Sequence, residues 1–404
     1  MGENAGRFFT QEGFYTNEER NCYNQSDHRG RDLETTFIVL FPHCSGNIFS
    51  AAVQHGRYDR FVSKEALAAV GGSAAQIVGL IVGFFVGLAS GASVIISQFY
   101  GAKNRVQLNR ALHTAYAFSI IGSIFITVLG ILIAPWMLEL MHTPQETMAD
   151  ALLYLRIYFA GIIFVFIYNV GSSILRAMGD SRRPLYYLIV CCFLNIVLDI
   201  VLVIVFHMGV AGVSIATIFS QGVSAVLITR ALMHSDDLYQ LEFRKIRFHK
   251  AALISLIWVG CPTGIQSVLY SVTNMLIQTF LNNLGTDTVA AWSAFGKIDS
   301  LYWMVNNAFG IAVTTFVGQN FGAGKYDRMK KSVRIGLCMG LCTALTLTLI
   351  FYNFGTPLFR LFTSDENVVS IGMQMLYHVA PAYCLFVFIE LLSGALRGTG
   401  DVVI

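Results

Sequence analysis

Ser97-Gln98-Phe99-Tyr100-Gly101-Ala102 returns later in the chain as Gly318-Gln319-Asn320-Phe321-Gly322-Ala323. A second stretch, Leu175-Arg176-Ala177-Met178-Gly179-Asp180, returns as Leu396-Arg397-Gly398-Thr399-Gly400-Asp401. Both pairs share one offset, since 319 − 98 and 397 − 176 are each 221. Two motifs at a single spacing mark an internal duplication. Both copies follow the same kind of loop charge, so the repeats run parallel rather than inverted. Repeats of this kind belong to transporters that rock one lobe against the other.

The composition points to the solvent in which that duplication folds. Of 404 residues, 55% are hydrophobic and 13% charged, against about 25% charged in a soluble domain. There is too little polar surface to cover the apolar mass, which predicts an all-α polytopic membrane protein built as two pseudo-symmetric helical lobes. Crossing the hydrocarbon takes about 20 apolar residues. Nine stretches qualify, roughly 66–99, 112–140, 151–175, 185–206, 210–232, 251–281, 288–318, 333–355 and 368–396. A net charge of +3, with no basic stripe interleaved with aromatics, argues against nucleic acid. None of the eight cysteines forms a CxxC pair, so zinc and dithiol chemistry find no support. The first 35 residues are polar and show no apolar run of the signal-peptide kind.

The loops alternate in sign. Those at 100–111, 176–184, 233–250 and 322–334 are basic, and the intervening ones are neutral or acidic, with Arg360 the dissenter. The positive-inside tendency places the basic loops in the cytoplasm of a multi-pass protein of the plasma (inner) membrane. The organisation expected is a polar segment 1–35, a disrupted helix-one region 36–63, an N-terminal lobe 64–235, a cytoplasmic linker 236–250 and a C-terminal lobe 251–404. Lobe one continues past Asp180 for two spans, whereas lobe two stops at Ile404, so a final helix pair is expected to be lacking.

Several stretches resemble the multidrug and toxic compound extrusion (MATE) transporters. They are Ala66–Gly71, Gln98–Lys103, Leu175–Pro184, Gly209–Thr217, Gly260-Cys261-Pro262-Thr263-Gly264-Ile265-Gln266-Ser267 and Leu396-Arg397-Gly398. The resemblance runs over about residues 61–404. It implies a fold of twelve helices in two six-helix lobes, of which about nine or ten fall here. It also implies export of organic cations or drugs against inward Na⁺ or H⁺, with no other cofactor and no enzymatic chemistry. Gln54-His55-Gly56-Arg57-Tyr58-Asp59-Arg60 departs from the family's helix one. A reading frame shifted by one base across Ser50–Arg60 can encode the family's usual peptide, so a local frameshift is the expected cause.

An ionisable residue inside a span is a functional candidate, because burying it costs free energy. Asn195 and Asp199 stand at i, i+4 in the middle of a span, on one helix face. In MATE transporters matching positions, a Thr on helix six and an Asp on helix one form the cation or proton site. The resemblance therefore implies Asn195, Asp199 and Thr217 as coupling residues, with a Na⁺ at Asp199 as the only metal expected. The helix-one Asp has no match in this sequence. Oxygen ligands suit a hard ion such as Na⁺. Lobe two offers Lys297, Asp299 and Glu390, either for coupling or for interhelix pairing. Lys297 and Asp299 lie two apart and do not share a helix face. Tyr270, Met275, Trp292 and Trp303 are candidates to line a cavity for organic cations, against the simpler reading that they pack. Gln98 and Gln319 read as helix-end and packing residues.

The leading function is secondary active multidrug export by alternating access from a monomer. A lipid-linked saccharide flippase of the same superfamily and a nonfunctional product of a frameshifted gene stay open as alternatives. A membrane enzyme finds no HExxH or GxSxG motif.

Overall fold

The computed structural model describes residues 72–141, 143–235, 239–282 and 284–402. The segments read above as 1–35 and as the disrupted helix one lie outside the described residues.

Among the described residues, the first helices of lobe one are α1 (Ser73–Gly101) and α2 (Arg105–Leu140). The turn between them ends at Asn104, whose side chain accepts from the Gln107 amide at 3.1 Å, an N-cap worth about 1 kcal/mol. The stretch read as 151–175 is a broken span. Helix α3 (Gln145–Ala160) bends by 51° at Gly161 into α4 (Ile162–Ala177). Helix α5 (Arg182–Asp199) continues through a π-helical turn at Ile200–Val205, and α6 (Gly209–Met233) closes the lobe. Lobe two holds α7 (Lys250–Asn282), α8 (Thr286–Gly322), α9 (Tyr326–Arg360), α10 (Glu366–Val379) and α11 (Tyr383–Thr399). Among the described residues seven helical spans are long and apolar enough to cross a membrane, and the α3–α4 pair makes an eighth. The ninth expected stretch, α8, is a 37-residue helix that misses the apolarity of the others because it carries Asp287, Lys297, Asp299 and several amides. It tolerates them by lying inside the bundle, packed on α1, α9, α10 and α11.

The duplication read from two motifs is written into the backbone. Gly179 and Gly400 both take positive φ, +92° and +88°, and end α4 and α11. In each, the following Asp amide returns to the helix, Asp180 to the Leu175 carbonyl at 2.9 Å and Asp401 to the Leu396 carbonyl at 3.1 Å. That is the 6→1 closure of a helix C-terminus, in which glycine pays no Cβ penalty. The turns after α1 and α8 match as well, with Lys103 at φ +54° and Gly324 at φ +67°. Even the break recurs: a 3₁₀ turn at Ala380–Ala382 separates α10 from α11 at the position equivalent to Gly161. An added Cβ at Gly324 would meet nothing within 4 Å, so Gly324→Ala isolates the backbone cost. It should lower stability by about 1 kcal/mol, read as a lower thermal midpoint in detergent; an unchanged midpoint would contradict the left-handed geometry.

Two apolar cores fill lobe one, and a third joins α8, α9, α10 and α11 around Tyr302, Phe351 and Tyr383. Helix α7 contributes Leu256 and Val259 to a lobe-one core. It reaches α1 backbone to backbone, for an added Cβ on Gly91 would lie 2.5 Å from the Gly260 amide nitrogen. Small residues on both faces permit that approach.

Candidate functional site

Three of the four buried, unpartnered polar side-chain atoms among the described residues of lobe one lie on α5 and α6. Cys191 lies against the Ser224 hydroxyl, and an added Cβ on Gly212 would lie 3.2 Å from the Leu202 Cβ. These two contacts fix the antiparallel register, and that register runs Asn195 and Asp199 past residues 215–220 of α6, the stretch that holds Thr217. The Thr217 hydroxyl spends its proton on the Val213 carbonyl at 2.9 Å, which leaves its oxygen lone pairs for another group. Tyr154 on α3 comes within electrostatic range of Asp199 and stacks on Tyr158 with centroids 5.9 Å apart. Asp199 Oδ1, Asn195 Nδ2 and Gln221 Oε1 are buried without a hydrogen-bond partner. Native proteins pair the great majority of such atoms, and the exceptions mark strain, function or a place for water or an ion. The π turn that begins directly after Asp199 fits the same pattern, since π segments concentrate at functional sites. Asn195, Asp199 and Thr217 thus fall within two turns of one helix pair. Tyr154 and Gln221 were missed; the signal for Gln221 was its i+4 spacing from Thr217.

Lobe two arranges its ionisable groups differently. Asp299 accepts a hydrogen bond from the Tyr383 hydroxyl at 2.7 Å and one from Trp303. Tyr302 donates to the Tyr383 carbonyl at 2.8 Å and stacks on its ring at 3.8 Å. Glu390 pairs with Arg397 at 2.7 Å along α11, both side chains about four-fifths buried at 20% and 18% exposure. Gly310 on α8 makes room, since an added Cβ there would lie 2.6 Å from Glu390 Oε1. Lys297 makes no ion pair among the described residues. Asn306, 2% exposed, has both amide atoms unpartnered. Of the aromatic candidates, Trp303 packs edge-on against Phe386 at 5.2 Å and Trp292 stacks on Phe295 at 5.5 Å. Tyr270 is half exposed, and Met275 is partly buried on the same helix. Breaking a buried ion pair leaves one charge uncompensated, so Arg397→Met should cost about 3 kcal/mol. Adding Glu390→Gln to it should recover part of the loss in thermal midpoint, and no recovery would argue against a paired charge.

The repeat motifs themselves meet across the lobes. Gln98 donates from Nε2 to the Gly398 carbonyl at 2.9 Å, and Gln319 donates to the Ala177 carbonyl at 2.7 Å. Donors 98 and 319 are 221 apart, and so are acceptors 177 and 398. The bonds are one interaction made twice about a pseudo-two-fold axis, each satisfying a carbonyl that a helix end leaves open. Both lie at the end of the bundle that carries the basic loops.

The MatE family model matches residues 56–201 and 262–404. The chain belongs to the MatE family. Family membership makes it a membrane transporter rather than an enzyme. Among curated relatives, the probable multidrug resistance protein YoeA of Bacillus subtilis is 29% identical over 85% of this chain and 75% of its own length. The probable multidrug resistance protein YpnP of the same organism is 31% identical over 80% of this chain and 72% of its own. A solved outward-facing multidrug resistance MATE transporter of the MOP superfamily is 20% identical. It superposes with a TM-score of 0.83, covering 94% of this chain and 86% of that one. At that identity the likeness is one of fold.

Proposed function

We propose that this MATE transporter exports organic cations or drugs by alternating access, coupled to Na⁺ or H⁺ at Asn195, Asp199 and Thr217. The observation that carries the reading is the buried, unpartnered Asp199 Oδ1, with the unpartnered Asn195 Nδ2 one helical turn away in sequence. A carboxylate held there is incomplete until a cation or proton reaches it. Relatives named for multidrug resistance support the substrate class. The basic loops face the cytoplasm in this reading, so the Gln98 and Gln319 bonds close the inner end and ions enter from outside. The protein works as a monomer, and the exposed half of α7 near Tyr270 and Met275 borders the substrate path.

Ethidium efflux from proteoliposomes holding the full chain tests this. A Na⁺ or H⁺ gradient imposed across the membrane is expected to accelerate efflux, and a flux indifferent to both gradients would overturn the coupling.

A further inference from the structure

Between α2 and the start of α7 lies a cavity of about 460 Å³, lined by Gln107, Arg110, Arg247, Phe248, His249 and the first turn of α7 from Lys250. Its walls are fixed. The His249 amide donates to the Thr114 hydroxyl at 3.1 Å, and the Glu242 amide donates to His113 Nε2 at 3.1 Å. Thr114 is fully buried, and Leu241 of the linker sits in the lobe-one core. The described part of the linker, residues 239–249, is therefore a strap tied to α2 rather than a loose tether.

The charge on those walls is one-sided. Arg110, Arg247 and Lys250 all line the cavity, and none of them has an ion-pair partner among the described residues. The nearby Glu242 does not line it and is held by Lys245 at 2.5 Å. Arg247 donates from Nε to His249 Nε2 at 3.3 Å, so the imidazole serves as an acceptor and is neutral. Burial, then the Arg247 and Arg110 charges, hold His249 below the usual histidine range. The first-turn N–H groups of α7 add donors that no helical carbonyl can take. Orientation across the membrane explains why the loop is basic. It does not explain why these cations surround a preformed hollow with no carboxylate among its described lining. Phe248, on its wall, stands exposed, as aromatics do where water meets lipid.

We propose that this cavity binds a phosphate group, with Arg110, Arg247, Lys250 and the α7 N-terminus as its donors. Basic pockets at the cytoplasmic ends of membrane helices take anionic headgroups by this chemistry, and a free phosphate offers the same oxygens. The occupant would tie α2 of one lobe to the first helix of the other.

The test uses the full chain in detergent and native mass spectrometry with three probes: phosphatidylglycerol, phosphatidylcholine of equal chain length, and inorganic phosphate. Phosphatidylglycerol is expected to be retained over phosphatidylcholine. Arg110→Gln with Arg247→Gln should weaken that retention roughly tenfold or more, and Arg110→Lys with Arg247→Lys should restore most of it, which separates binding from misfolding. Lys330→Gln with Lys331→Gln removes equal charge from another basic loop and should change retention less than about twofold. The same pattern with inorganic phosphate, and no preference between the lipids, would support the site with a free anion as its occupant. Absence of binding by every probe, no loss in the Arg110/Arg247 variant, or an equal loss in the Lys330/Lys331 control would overturn the proposal.

Discussion

Gly101→Ala is expected to open the basic-loop end of the transporter. Its Cβ would fall on the carbonyl of Gln319, and by the repeat a Cβ on Gly322 would fall on the carbonyl of Gln98. The obstructing atoms are backbone, so no rotamer change relieves the clash. The helices must separate, and separation breaks the bonds from Gln98 to Gly398 and from Gln319 to Ala177. Overpacking costs about 1–3 kcal/mol, and each lost hydrogen bond adds about 1 kcal/mol. A total of about 3–5 kcal/mol shifts a two-state equilibrium by about a hundredfold or more. Spin labels on the exposed positions Arg105 and Arg328, in a background freed of native cysteines, read the result. The distance distribution should move to longer values in Gly101→Ala and equally in Gly322→Ala. Gln98→Leu and Gln319→Leu should each give a smaller shift of the same sign. An unchanged distance in both glycine variants would contradict a closed clasp at that end.

Asp199→Asn carries the second large expected effect. The substitution keeps size and shape, and it removes the charge that a cation or proton must meet. Substrate binding is expected to survive while the gradient loses its hold on transport, a drop of roughly a hundredfold in gradient-driven efflux, the upper range of coupling between two sites. Thr217→Val and Asn195→Leu should each weaken coupling less, because each removes one neutral ligand. Gradient-driven ethidium efflux that persists unchanged in Asp199→Asn would remove the residue from the mechanism.

Much of this architecture was legible in the chain. Two six-residue motifs at one offset gave the duplication, and the backbone repeats it down to the φ of Gly179 and Gly400. Charge cost alone singled out Asp199, and spacing put Asn195 on its face. What stayed hidden depends on contacts between distant positions. Gln98 and Gln319 read as packing residues because nothing local reveals a partner some 300 or 142 positions away. Tyr154 is one apolar-looking aromatic among 17 tyrosines until α3 brings it beside Asp199. Lys297, Asp299 and Glu390 looked alike as charges in spans, yet Glu390 proves paired to Arg397 and Asp299 proves bonded to Tyr383. The choice of α7 to pack on α1 was also invisible, although Gly87, Gly91, Gly260 and Gly264 carry the four-residue spacing that permits it.

The central claim is that Asp199 receives the coupling ion. Infrared difference spectra of the full chain in lipid, recorded between ion-free buffer and either saturating Na⁺ or lowered pH, address it directly. The account predicts a carboxyl band that changes with one of these ions in the wild type and vanishes in Asp199→Asn. Difference spectra that are identical in the two proteins would contradict it.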